Sequence, residues 1–464
     1  MPATDLLTPV RPTPRPTPEL IARYDGRAPR YTSYPTAVQF TPDVQEETYR
    51  GWLKALPADE AVSLYVHVPF CSRLCWYCGC NTRAVNRHEP IGEYVRYLLR
   101  EIAMLEGALP GPLRASGLHF GGGTPNMLAI EELDAIVAEL RRVFGFEEGA
   151  EIAAELDPAS LTRDWVLAAG RNGLNRASLG VQTLDPQVQE AVNRRESYEE
   201  IAVCVAALRE IRVRSLNLDL MYGLPYQTTQ NVLATVDRIL TFKPERLALF
   251  GYAHVPWMKS HQQLIEEQAL PGPAERLDQS ESAAERLQAE GYVRIGIDHF
   301  ALPTDELAIA HAERRLRRNF QGYTTDSART LLGVGVSAIG SLPQGFVQNI
   351  AQEVGWRAAV DQGRLPIARG APVTDEDRFR GEIIERMMCD FAVDLAAICA
   401  RHGRKVAELA PAVDKLAPFE ADGLVAIDGG KIAITDKGRI LVRSVSACFD
   451  AYFAPEAVRH SKAL

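Results

Sequence analysis

No run of apolar residues in the chain approaches the roughly 18–20 that a membrane-spanning helix needs, so no membrane partner is expected. Positive charge is not in surplus: 51 Lys and Arg stand against 60 Asp and Glu, a net charge of -9. That balance argues against a general nucleic-acid-binding role. The opening MPATDLLTPVRPTPRPTPEL has no apolar h-region and is broken by six prolines. It reads as a solvated, polyproline-prone tail without a targeting signal, and a cytoplasmic location follows as the expectation. Cysteine is scarce, eight in 464 residues. Structural disulfides are not expected in that compartment. Cys204, Cys389, Cys399 and Cys448 are scattered through apolar or helical contexts and read as small core residues. The other four, Cys71, Cys75, Cys78 and Cys80, fall within ten residues.

The rest of the composition is that of a globular protein long enough for two domains, with 46% hydrophobic and 24% charged residues. From about 60 to 255, short apolar runs alternate with helix-period stretches. The runs are VSLYVHV (62–68), GLHF (117–120), EIAAEL (151–156), RASLGV (176–181), SLNLDLM (215–221) and RLALFGY (246–252). Between them, IEELDAIVAELRRVF (130–144) places its apolar residues on one face, and DWVLAAGRNG stops at Gly173. Such alternation predicts parallel strands joined by crossover helices. Six units predict an α/β fold of partial TIM type, (β/α)6, with a doubly wound sheet as the rival. Polar groups follow the runs: the cysteine loop, GGGTP (121–125), Glu155 and Asp157, Gln182, Asp219 and His254. In a parallel barrel these ends converge on one mouth.

The expected domains are a flexible Pro-rich tail (1–28), an N-terminal lid segment (29–59), a catalytic barrel with its extension (60–370) and a smaller, mostly helical C-terminal domain (371–464). In the last, a helical stretch precedes LVAIDGGKIAITDKGRILVR, two strands across an Asp-Gly-Gly turn, an order that is winged-helix-like. In so acidic a chain a lid or packing role is favoured over DNA binding.

Two metals compete for the crowded cysteines. Structural zinc takes four ligands, normally from two separated pairs, and no second pair exists elsewhere. A [4Fe–4S] cube presents corners that one loop can reach, and the spacing Cys71-x3-Cys75-x2-Cys78 supplies three, leaving one iron for a substrate.

CSRLCWYC (71–78) resembles the CxxxCxΦC signature of the radical S-adenosylmethionine (SAM) superfamily, with Tyr77 in the aromatic slot. PRYTSYPTA (29–37), YVHVPFC (65–71), CGCN (78–81), GGGTP, ELDP (155–158), NLDLMYGLP (217–225), YAHVP (252–256), NFQGYTT (319–325) and GVGVSAIG (333–340) extend the likeness. Over nearly the whole chain it is similar to the oxygen-independent coproporphyrinogen III oxidase family. The resemblance implies a radical SAM barrel that turns two propionates of coproporphyrinogen III into vinyl groups, giving protoporphyrinogen IX in haem biosynthesis, with one [4Fe–4S] cluster, two SAM molecules and a low-potential donor such as flavodoxin or ferredoxin. A monomer is expected. The alternatives on the same scaffold are a haem chaperone, against which Cys80 and PRYTSYPTA argue, and a radical SAM methyltransferase or haem-degrading enzyme.

The resemblance also implies site residues. Cys71, Cys75 and Cys78 would hold the cluster. Tyr65, Gly122, Glu155 and Ile339 would contact the cluster-bound SAM. Tyr77, Gly123, Thr124, Gln182, Arg194, Asp219 and Ala253 would line the site of the second. Cys80 would act in catalysis without ligating the cluster, and Gln321 would lie near the substrate or second SAM. The substrate carries four propionates, whose carboxylates need charged partners. Arg30, Arg194 and the run Arg314, Arg315, Arg317 and Arg318 are the candidates, with a solvated helix face the favoured reading for at least two of that run.

Overall fold

The computed structural model describes residues 15–453 apart from 25 and 27. Six strands follow the apolar runs: β1 (Ala61–Val68), β2 (Arg114–Gly122), β3 (Phe146–Leu156), β4 (Arg176–Gln182), β5 (Ser215–Tyr222) and β6 (Arg246–Gly251). Neighbours in sequence pair in parallel throughout. The connecting helices include Glu89–Glu106, Ile130–Phe144, Arg163–Arg171, Tyr198–Glu210 and Thr229–Leu240. Caps fix their starts: Thr162, Ser197 and Thr228 each accept a backbone N–H of the first turn.

The sheet grows at both edges. Beyond β6 lie β7 (Val293–Ile295) and β8 (His299–Ala301), and beyond β1 lie β9 (Thr330–Val334), β10 (Ile339–Leu342), β11 (Gly345–Asn349) and β12 (Ile367–Pro372). The order is β12-β11-β10-β9-β1-β2-β3-β4-β5-β6-β8-β7, so the twelve strands do not close into a ring. β9 runs parallel to β1, and β10 to β12 add antiparallel. The (β/α)6 expectation therefore holds as an open, partial barrel.

The strands have unlike faces. On β1, Val62, Leu64, Val66 and Val68 are at most 3% exposed and join the large core under the helices. Ser63, Tyr65 and His67 alternate with them on the concave side. His119, Glu155, Ser178, Asn217 and Asp219 extend that polar interior through their hydrogen bonds to one another and to β2.

A second core forms around the helix Asp375–Asp390 and the strands β13 (Ala392–Asp394), β14 (Val425–Asp428) and β15 (Lys431–Ile434). β14 and β15 meet across Gly429 and Gly430, both at positive φ, as a two-residue hairpin turn requires. Ile21, Tyr31 and Tyr34 belong to this core. The tail expectation for 1–28 is thus corrected where it can be read: Pro18–Tyr24 is a helix, anchored because Ile21 is fully buried. The first fourteen residues lie outside the described part. The lid expected over 29–59 divides. Tyr31 and Tyr34 pack on the second core, whereas Tyr49 and Leu53 of the helix Glu46–Lys54 pack into the first.

One buried carboxylate ties the edge strands to the barrel. Glu101 accepts from Asn349 Nδ2 at 2.6 Å, Gly335 N at 2.9 Å and Trp356 Nε1 at 2.9 Å. All three partners are donors. Glu101→Ala leaves them unpaired in the core and is expected to lower stability by about 3–5 kcal/mol. Burial pushes the Glu101 pKa from an ordinary 4.5 up to about 7. A raised carboxyl pKa contributes stability that is full below 4.5 and is lost as pH rises through about 7. Urea unfolding should therefore show wild type gaining on Glu101→Gln at pH 5 relative to pH 8. The reverse trend would sink this assignment.

Candidate active site

The cysteine loop leaves β1 at the mouth of the sheet. Its ends are clamped: Phe70–Cys71 pairs with Arg83–Ala84 as a short parallel ladder, with Arg83 N donating to Pro69 O and Val85 N to Cys71 O, both at 2.9 Å. Inside the clamp each of three sulfurs meets its own donor. Cys71 Sγ lies 3.1 Å from Thr82 Oγ1 and accepts from Thr124 Oγ1 at 3.4 Å. Cys75 Sγ accepts from Arg194 Nη1 at 3.4 Å, and Cys78 Sγ from the Cys80 N–H at 3.4 Å. The Cys80 thiol and N–H, with His261 and Lys259 nearby, lower the Cys78 pKa to about 6, against the pull of burial. Burial raises that of Cys71. Cys80 is exposed and lines the cavity described next.

That cavity, of about 240 Å³, is bounded by Tyr65, Cys80, Gly122, Glu155, Gln321 and Ile339. Glu155 Oε2 accepts from the Gly122 N–H at 3.3 Å, and Oε1 lies 3.2 Å from His119 Nε2. Burial works against its charge, yet His119 and the Gly122 N–H hold its pKa below the usual carboxylate range. His67 Nε2 is 2.9 Å from the Asn81 carbonyl oxygen, which only accepts. That nitrogen therefore donates, and Nδ1 accepts from the Tyr65 hydroxyl at 3.0 Å.

The residues expected around a second ligand fall into two groups. Arg194 is buried and donates from Nη2 to Gly180 O at 2.6 Å and Asp157 Oδ1 at 3.2 Å, with Glu196 Oε1 at 3.1 Å. A Cβ placed on Gly180 would lie 3.0 Å from Gln182 Nε2 and 3.1 Å from Arg194 Nη2, so these side chains share one place. Asp219 sits beside them on β5, accepting from Ser178 Oγ and Asn217 Nδ2, each at 2.7 Å. Burial raises its pKa. Tyr77 packs on the apolar cluster of Val188, Val192 and Tyr252, and its carbonyl accepts from Gln262. Ala253 lines a separate cavity of about 340 Å³ with Arg30, Arg318 and Gln321.

The expectation for the arginine run is corrected. Arg314 ends a helix at positive φ, and Arg317–Asn319 is a strand of a hairpin with Gly322–Thr324. No helix carries the run, because the left-handed residue breaks it. Arg314 and Arg315 are exposed, whereas Arg317 and Arg318 line cavities. Arg194, bound to two carboxylates, is removed from the propionate candidates. Sequence reasoning missed three contributors. His67 and His119 were readable, since each sits on the alternating polar face of its strand. Phe320, at the hairpin tip, lines both the 240 Å³ and 340 Å³ cavities, which periodicity does not show.

An oxygen-independent coproporphyrinogen III oxidase from Bradyrhizobium diazoefficiens is 48% identical over 440 residues, covering 95% of this chain and 98% of its own. The chain belongs to the oxygen-independent coproporphyrinogen III oxidase family. A second relative in the family, the anaerobic coproporphyrinogen III oxidase 1 of Cereibacter sphaeroides, is 43% identical over 445 residues, 95% of this chain and 97% of that one. The solved structure of the Escherichia coli enzyme HemN, described as a radical SAM enzyme, superposes with a TM-score of 0.88 at 38% identity, over 91% of this chain and 98% of that one. The Radical SAM superfamily matches residues 65–239, and the HemN C-terminal domain matches 373–441.

Radical SAM membership implies a [4Fe–4S] cluster and SAM. The residues present suit them. The donor set beside the mouth is three thiols, each accepting a hydrogen bond from a different residue. Backbone crowds close beside them: a Cβ on Gly123 would meet Phe70 O at 2.6 Å.

Proposed function

We propose that this chain converts coproporphyrinogen III to protoporphyrinogen IX without oxygen, each of two propionates losing CO2, a proton and two electrons. Cys71, Cys75 and Cys78 would hold the cluster; with SAM bound there, the cofactors would supply a 5′-deoxyadenosyl radical that takes one hydrogen atom from each reacting propionate, and the second electron leaves to an external one-electron acceptor as CO2 departs. The observation that carries the reading is the placement of the three-thiol loop against a polar interior that opens, through Phe320 and Gln321, onto an arginine-lined cavity.

The residues take distinct tasks in this reading. Tyr65, Gly122, Glu155 and Ile339 bind the first SAM. The Glu155 carboxylate accepts from its hydroxyl or ammonium donors and is kept ionised by His119. Gly123, Thr124, Tyr77, Gln182, Arg194, Asp219 and Ala253 receive a second SAM. Cys80, exposed at the cavity, holds the substrate at the reacting centre without ligating the cluster. Arg30 and Gln321 face the substrate, and the segment carrying Arg30 excludes water from the mouth. The electron donor is a small low-potential protein such as flavodoxin or ferredoxin, and the chain acts as a cytoplasmic monomer without nucleic acid or membrane. Among the described residues no helix is long and apolar enough to cross a membrane.

Anaerobically reconstituted protein, supplied with SAM, a reductant, a one-electron acceptor and coproporphyrinogen III, should release two CO2 per ring and accumulate the divinyl product. S-adenosylhomocysteine without CO2 would point instead to methyl transfer. Transfer of haem to an apo-protein without decarboxylation would point to a chaperone.

A further inference from the structure

Arg318 stands between two cavities of about 340 Å³ each, one beside Ala253 and one under Tyr31–Tyr34. Its Nη2 donates to the Arg30 carbonyl at 3.3 Å, and its guanidinium carbon lies 4.4 Å from the centre of the Tyr323 ring. Its Nε and Nη1 are buried without a hydrogen-bond partner. Stripping water from two charged N–H groups is costly, and the ring face offsets only part of it. Arg30 lines the first cavity as well.

The nearby acids are engaged elsewhere. Asp298 Oδ1 lies 2.6 Å from His299 Nδ1. Glu281 holds Arg294 through two bonds of 2.9 and 2.8 Å. Glu385 accepts the Arg318 backbone N–H at 3.2 Å and lies 3.9 Å from Arg317 Nε. Among the described residues, then, neither Arg30 nor Arg318 forms an ion pair. The backbone under Arg30 is fixed: Arg443 donates to Pro29 O at 3.0 Å, Tyr31 OH to Asp450 Oδ2 at 3.1 Å and Ala451 N to Tyr34 OH at 2.8 Å. Two arginines on one cavity wall, Arg318 with two buried N–H groups to spare, make a carboxylate clamp.

We infer that Arg318, with Arg30, anchors a propionate of the tetrapyrrole that is not the one reacting, and so selects a polycarboxylated ring. This rests on the proposed function and names the residues by which that site grips its substrate. The hairpin tip Phe320–Gln321 borders both this cavity and the one at Tyr65 and Glu155, so an anchored ring reaches toward the radical site. SAM also carries a carboxylate, so the test must separate the two ligands.

Coproporphyrin III, the stable oxidised form of the substrate, is titrated by fluorescence into reconstituted full-length protein, and SAM is titrated separately. Arg318→Met should weaken coproporphyrin III binding by about 10–100-fold, the worth of a charge-assisted bond, with KM rising more than kcat falls. Arg318→Lys, which keeps the charge but not the fork, should weaken it by about 3–10-fold. Affinity for SAM should stay within about twofold of wild type. Should Arg318→Met not fold, Arg30→Gln tests the other arm with the same expectation. Unchanged coproporphyrin III affinity overturns the clamp, as does a loss confined to SAM. Either result leaves the proposed function standing if wild type still forms the divinyl product; absence of that product sinks the function instead.

Discussion

Cys75→Ala is expected to yield protein without a cluster and without measurable turnover, a loss of at least about 10³-fold, while Cys80→Ser keeps its iron. The contrast follows from where the sulfurs sit. Cys71, Cys75 and Cys78 each receive a hydrogen bond from a different element: Thr124 of the glycine turn, Arg194 and the loop's own backbone. Donors aimed at sulfur favour the thiolate that a cluster needs. With three corners held, removal of one leaves a site that cannot retain iron. Cys80 differs in its surroundings: it lines the cavity of Tyr65 and Glu155, and its carbonyl is pinned by Lys259 Nζ at 2.9 Å. Cys80→Ser should therefore retain iron, sulfide and visible absorption yet lose turnover by about 10²-fold or more, the scale of a misplaced substrate. Iron and sulfide assays with product analysis decide it. Loss of the cluster in Cys80→Ser would make that residue a fourth ligand. A full cluster in Cys75→Ala would dismantle the three-corner clamp.

The six-strand order was legible because each buried strand interrupts a helix-period pattern with a short apolar run, and its register is fixed by Val and Leu at alternate positions of β1 and β5. The mouth was legible because polar residues follow those runs. Less was readable where long-range packing decides. Residues 293–301 form an apolar stretch, yet they split into two three-residue strands around Gly296, whose positive φ lets the chain double back under the Tyr323 ring. The arginine run looked like a helix face because charge spacing says nothing about the left-handed turn at Arg314. The N-terminal helix was hidden for a different reason. Six prolines suggest a tail, and only the second core, assembled from residues some 360 positions away, gives Ile21 a place to be buried. Arg194 shows the limit at the site. Its motif placed it near a ligand, but its engagement by Asp157, Glu196 and Cys75 came only from the fold.

Gly123→Ala is the second substitution expected to remove most activity, by about 10²-fold or more, and it should do so by displacing a ligand it does not touch. Neighbouring glycines differ in what a methyl would meet. At Gly121 it would press at 3.0–3.1 Å on the Glu155 and Tyr65 side chains, with no backbone atom among its nearest neighbours. At Gly123 it would lie 2.6 Å from Phe70 O, 2.6 Å from Thr82 Oγ1 and 2.9 Å from Phe70 N. Two of those atoms are backbone, and that backbone is held from both sides. Gly123 N donates to Val68 O at 2.8 Å and Thr124 N to Phe70 O at 2.7 Å, while Arg83 and Val85 bind Pro69 and Cys71 across the clamp. The methyl has no rotamer to yield to, so the Phe70–Cys71 segment must shift, carrying Cys71 Sγ away from Thr82 and Thr124. Overpacking of this kind costs about 1–3 kcal/mol, small beside the stability of a folded domain. The variant should therefore fold, with a melting temperature within several degrees of wild type, but incorporate less iron and bind SAM weakly. Full iron loading with normal turnover would mean that the glycine turn and the cysteine clamp move independently, and the coupling argued from their shared hydrogen bonds would be lost.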